Sequence, residues 1–95
     1  MPYPAYMTVG TIFYSRSAKE LLHFEDVQVA IARYERGDWG DAAPRYRARN
    51  MNGVEHGGQV VGLYGDRRRR RFWIVTEPGH ETTSIKMDGE PWLER

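Results

Sequence analysis

Three short apolar runs constrain this fold more than any other feature of the chain. They are Gln59 to Tyr64 (QVVGLY), Phe72 to Thr76 (FWIVT) and Thr82 to Met87 (TTSIKM). Each is rich in β-branched and aromatic residues, which suit a pleated, half-buried surface. Turn formers bound them: Gly57-Gly58, Gly65-Asp66, Pro78-Gly79 and Asp88-Gly89. Runs of this length and spacing read as three consecutive strands of an antiparallel meander. Met7 to Tyr14 (MTVGTIFY) has the same character and reads as a first strand, with Pro2 and Pro4 holding the residues before it extended but unpaired.

The stretch between the first strand and the meander reads as helical. Ser17 with Glu20 three residues later forms a capping box, in which each side chain satisfies a backbone N–H at the helix start. Leu21, Phe24, Val27, Ile31 and Tyr34 recur at spacings of three and four, giving one apolar stripe. Gly37 supplies a left-handed end. These signals predict one long helix over about 18–36. Gly37-Asp38-Trp39-Gly40-Asp41 follows as a tight connector, with Trp39 expected to pin it against the edge of the core. Asp41 is placed to cap a second, short helix over about 42–51, with Pro44 in its first turn and Asn52-Gly53 breaking it. The expectation is one α+β domain spanning residues 1–95. About four strands, mainly antiparallel, pack against one long and one short helix in the order β-α-α-β-β-β.

Ninety-five residues leave room for one core. The absence of cysteine excludes disulfides, thiolate metal sites and a cysteine nucleophile. No apolar run approaches the roughly 18 residues that mark a membrane span. The opening MPYPAYMTVG lacks a basic region ahead of an apolar one, so a secretory signal is not expected. The expected location is the bacterial cytoplasm.

Net charge is +1, but it is unevenly spread. Residues 45–71 hold eight arginines against Glu55 and Asp66, a net of +6, and the remaining residues carry a net of −5. Arg67, Arg68, Arg69, Arg70 and Arg71 lie between two strands, in one of two registers. A two-residue turn would string them along a strand with alternating faces; a longer loop would leave them at a solvated tip. The longer loop is preferred, because alternation would bury unpaired charge. The result is a basic finger with Tyr64, Phe72 and Trp73 at its base, extended by Arg45, Arg47 and Arg49 of the second helix. The candidate contact residues are therefore Arg45, Arg47, Arg49, Tyr64 and Arg67 to Arg71. Trp39 and Trp73 are read as structural anchors. The plain reading of the same residues is codon bias in a GC-rich genome plus a solvated surface.

Catalytic constellations are thin. His23, His56 and His80 have no metal-ligand spacing, and Glu77, His80 and Glu81 share a turn that reads as solvated. Ser15, Ser17 and Ser84 lack a nucleophile elbow, and Gly57, Gly58 and Gly62 form no phosphate loop. No catalytic, metal or cofactor residue is assigned, and the chain is read as non-enzymatic.

One resemblance adds to this. Gly37-Asp38-Trp39-Gly40-Asp41, then Asn50, Tyr64, Phe72-Trp73-Ile74-Val75-Thr76-Glu77 and Thr82-Thr83 follow one another at characteristic spacing. The pattern resembles a family of small bacterial proteins carried on plasmids, integrative elements and phages, described only as plasmid-related or of unknown function. It covers roughly residues 37–85. The chain departs from it in the basic second helix and in the five arginines of the hairpin, so those cations are additions to the shared pattern. The resemblance implies a mobile-element setting and supplies no active site. The leading expectation is a binding protein that docks on a host protein or ribonucleoprotein complex, as an inhibitor of anti-CRISPR or anti-restriction type would. The alternatives are weakly sequence-specific nucleic-acid binding through the arginine hairpin, and a homodimeric accessory domain joined at a sheet edge or through the Trp-bearing face.

Overall fold

Residues 7–90 are described by the computed structural model of the chain. Their elements are β1 (Thr11–Tyr14), α1 (Arg16–Leu21), α2 (Phe24–Glu35), α3 (Arg45–His56), β2 (Val60–Gly65), β3 (Arg71–Thr76) and β4 (Thr82–Met87). The expectations for Pro2 and Pro4 lie outside the described residues.

Alternation along the meander builds the sheet. Its order is β1-β4-β3-β2, with β2–β3 and β3–β4 antiparallel and β1 parallel to β4. Val60, Tyr64, Phe72, Ile74, Ile85 and Met87 point to one face. There they meet Ala18 of α1 and Val27, Ala30, Ile31 and Tyr34 of α2. This is the core, and the fold is α+β as the sequence implies. Burying each large apolar side chain contributes about 1.5–3 kcal/mol. A polar thread runs through it. The Tyr34 hydroxyl reaches the Val60 carbonyl (2.7 Å) and Thr76 Oγ1 (2.8 Å). Thr76 meets Thr83 (2.7 Å), whose Oγ1 donates to the Val9 carbonyl (2.6 Å).

The predicted long helix is two helices. Ser15, not Ser17, caps the first, its Oγ accepting from the Ala18 N–H at 3.1 Å. The chain opens at Leu22 (ψ 141°) and His23 (ψ 136°). His23 then caps α2 by accepting from the Glu25 N–H through Nδ1 (3.1 Å). The break resets the helical phase. Leu22 turns toward the core, while Leu21 and Phe24, expected on the apolar stripe, are 45% and 67% exposed.

Two further boundaries move. Gly10, at φ +65°, ends the extended segment before β1, so regular pairing starts at Thr11 although Met7 and Val9 are buried. The second helix starts later and runs longer than expected. Asp41 does not cap it; its N–H donates to the Leu63 carbonyl (2.7 Å), and Pro44 stands at the helix start. Asn52-Gly53 lies inside α3 and does not break it. Gly53 is required there by a close approach, because a Cβ would collide with the Gln59 carbonyl oxygen.

α3 closes the outer edge of β2. Asn50, 1% exposed, acts as a short strand residue: its Nδ2 donates to the Val61 carbonyl (2.8 Å) and its Oδ1 accepts from the Val61 N–H (3.0 Å). Two residues along, Leu63 is bridged by the connector, donating to the Trp39 carbonyl (3.1 Å) and accepting from Asp41. An open strand edge is a template for unwanted pairing, and here four of its polar groups are satisfied internally.

Candidate binding face: the arginines of the 66–70 loop and of α3

The cations between β2 and β3 occupy a true loop. Gly65 pairs with Arg71, so residues 66–70 are the turn and only Arg71 enters a strand. The longer-loop expectation holds. Asp66 organises it with a side chain only 1% exposed. Its Oδ1 accepts from the Arg68 N–H (2.9 Å) and the Arg70 N–H (2.6 Å), and its Oδ2 accepts from Arg70 Nε (2.9 Å). Burial alone would raise this carboxyl. The Arg70 and Arg68 backbone donors and the Arg70 guanidinium outweigh burial and hold it below the usual carboxylate range. Arg69 turns the chain at φ +65°.

Two of the five arginines fold back onto the α1–α2 break. Arg67 donates from its backbone N and from Nε to Asp26 Oδ2 (both 3.0 Å), and from Nη2 to Asp26 Oδ1 (3.1 Å) and Glu25 Oε1 (3.3 Å). Hydrogen bonding to Arg67 holds the Asp26 carboxyl below its ordinary value. Arg70 Nη2 donates to the Leu21 carbonyl (2.6 Å), an acceptor that the interrupted helix leaves without its usual partner. Loop and break together bound a cavity of about 410 Å³. Arg68 and Arg69 are exposed and have no ion-pair partner among the described residues.

The α3 arginines lie elsewhere. Tyr46 meets Trp73 edge-on, with ring centroids 5.9 Å apart and planes at 66°. Trp73 is on the face of β3 opposite the core residues Phe72 and Ile74, and its Nε1 donates to Asp88 Oδ1 (3.0 Å). Arg45 and Arg49 hold their guanidiniums over the Tyr46 ring, at 5.0 and 5.7 Å from its centroid. Arg71 shares this face by alternation with Trp73; its nearest acid is Asp41, at 3.9 Å. Lys86 pairs with Trp73 across β4. Arg47 lines a smaller cavity with Trp39 and Tyr46, between the connector and the start of α3. The residues expected to form one basic patch are therefore split between opposite faces of the sheet.

Tyr64 leaves the contact set. It is 1% exposed, packs against Phe72 at 6.0 Å and donates its hydroxyl to the Asp38 carbonyl (2.8 Å). Even-numbered β2 positions face the core, and this alternation decides its place. Trp39 packs against the core edge as an anchor would, with its Nε1 buried and without a hydrogen-bond partner among the described residues. Trp73 is half-buried and belongs to the exposed rim as much as to the frame. Sequence reasoning missed Tyr46, whose only signal was its place between Arg45 and Arg47.

His80 Nε2 lies 2.8 Å from the Gly58 carbonyl, tying the β3–β4 turn to the end of α3. Among the described residues no three His, Cys, Asp or Glu side chains converge to hold a metal ion, and no helix is long and apolar enough to cross a membrane. Comparison with protein-family models, curated proteins and solved structures finds no match to this chain.

Proposed function

We propose that this chain is a non-enzymatic binding protein that docks on an acidic surface of a larger partner through the face built by α3 and β3. One observation carries the reading: Tyr46 stands edge-on to Trp73 with Arg45 and Arg49 held over its ring. Tyr, Trp and Arg are the residue types that dominate protein-interface energetics. Arg71 and Lys86 lie on the same face and extend its positive charge. The resemblance described above implies a mobile-element setting. In that setting the partner is a host protein or ribonucleoprotein complex, and the role is that of a stoichiometric inhibitor of a defence system.

The test is a capture from a nuclease-treated lysate of a bacterial host, comparing the native chain with Arg45→Glu/Arg49→Glu. A partner retained at near-stoichiometric amount by the native chain and lost by the variant supports docking. A partner retained equally by both sinks this face as the contact.

A second reading is direct nucleic-acid binding through the loop, and the exposed pair Arg68 and Arg69 favours it. With Arg67 and Arg70 committed to internal acids, this reading expects few phosphate contacts from the loop. Each contact contributes about 0.9 to the slope of log affinity against log salt. A slope of about −2 that flattens in Arg68→Ser/Arg69→Ser supports this reading, and no measurable low-salt binding removes it.

A further inference from the structure

The two edges of the sheet are treated differently. On β2, Asn50 and the 39–41 connector occupy the outward polar groups of Val61 and Leu63. On β1, among the described residues, nothing pairs with the outer edge. The Thr11 and Ser15 N–H groups are spent on the Glu81 and Ile85 carbonyls of the inner side. By alternation, the N–H and C=O groups of Ile12 and Tyr14 point outward.

The residues of this edge complement themselves. Thr11–Ser15 carries no charge, so two such strands meet without like-charge repulsion. Phe13, between the two outward-facing residues, is 54% exposed on the face away from α1 and α2. A twofold axis at Phe13 sets Ile12 opposite the second copy's Tyr14 as a hydrogen-bonded pair, twice. Phe13 then faces its own copy as the close, non-hydrogen-bonded pair, where side chains approach best. The ends of the strand add charge complementarity. Arg16 follows β1 at one end, and Glu81 receives the Thr11 N–H at the other. Both are exposed, with no ion pair among the described residues. Antiparallel pairing brings the Arg16 end of each copy to the Glu81 end of the other.

We infer that β1 is a homodimerisation edge, joining two sheets antiparallel about Phe13 into one continuous sheet of eight strands. The occupant is a second copy of this chain. A strand this short buries well below the roughly 1,200 Å² of a stable interface, so the dimer is weak and concentration-dependent. Phe13 shares the sheet face of Trp73 and Lys86, but the β1 edge lies two strands from β3, and its pairing does not depend on docking at α3.

Sedimentation equilibrium on the full chain tests it, read as the dimer fraction against concentration. The native chain should pass from monomer toward dimer as concentration rises, and Phe13→Lys should stay monomeric with an unchanged unfolding midpoint. Arg16→Glu and Glu81→Arg should each weaken the dimer by about tenfold or more, and the double charge swap should restore it. A chain that stays monomeric to about 1 mM overturns the inference, that concentration marking only about 4 kcal/mol of association. So does a dimer that survives Phe13→Lys. A double swap that fails to recover association overturns the antiparallel register.

Discussion

Arg67 is bound to Asp26 by both backbone and side chain: its N–H and its Nε each donate to Oδ2 at 3.0 Å. A hairpin tip that would otherwise project as a finger is thereby laid along the start of α2. Asp26→Asn should release it. Trypsin should then cut the loop several-fold faster at pH 8, because cleavage follows the population of locally opened chain. Added salt should reproduce part of the effect in the native chain, since the pair is solvent-exposed. An unchanged cleavage rate would show that Asp66 alone sets the loop.

Asp66 gives the loop a pH dependence whose sign is fixed. Its folded carboxyl sits below the ordinary value, so the stabilisation is complete above about pH 4 and lost as pH falls through the folded value. Asp66→Asn should cost about 2 kcal/mol near neutrality, through the loss of charge-assisted bonds to Arg68 and Arg70. Urea midpoints should fall less steeply between about pH 5 and pH 2 in the variant than in the native chain. The slope it retains comes from Asp26 and from Asp38, which Arg33 holds down through bonds of 2.8 and 3.2 Å. Equal acid slopes in the two proteins would contradict this.

Asn50→Leu keeps the branched shape, adds some bulk and removes both bonds to Val61. Each buried backbone group left unpaired costs about 1–3 kcal/mol, so the expected loss for the two is about 2–6 kcal/mol. Amide exchange at Val61 should accelerate by a comparable factor. Asn50→Asp should not rescue it, because a carboxylate would then face the Val61 carbonyl that Nδ2 now serves.

Gly53→Ala tests packing against propensity. In an exposed helix interior this change gains up to about 1 kcal/mol. Here the added methyl meets the Gln59 carbonyl and the Val60 side chain, and destabilisation of about 1–3 kcal/mol is expected. The sign of the shift in thermal midpoint decides which effect wins.

The meander was legible because its signals are local. Val60–Gly65, Arg71–Thr76 and Thr82–Met87 lie within a residue or so of the apolar runs that announce them. Charge avoidance chose the correct loop length. The helical half was harder, because its decisive contacts are distant. Ser15 and Ser17 are both plausible caps, and nothing local says that Leu22 and His23 leave the helix, where Arg70 reaches the Leu21 carbonyl from far along the chain. Asn52-Gly53 has the chemistry of a break, yet the approach of Gln59 makes it a helical contact. Tyr64 looked like a finger-base ring because exposure depends on register, and the pairing of Tyr64 with Phe72 puts it on the core side. The basic patch looked continuous along the sequence. Strand alternation and the pull of Asp26 divide it in space.

The parallel pairing of β1 with β4 also orders events during synthesis. Thr11 must wait for Thr82, 71 residues later, before its ladder can form. α1 and α2 emerge long before the strands they cover, and isolated helices of 6 and 12 residues are marginal in water. On the ribosome, the N-terminal half therefore has nothing to dock on until the meander is nearly complete. The β2–β3–β4 hairpins, made of near-neighbour contacts, are placed to nucleate, and β1 closes the sheet last.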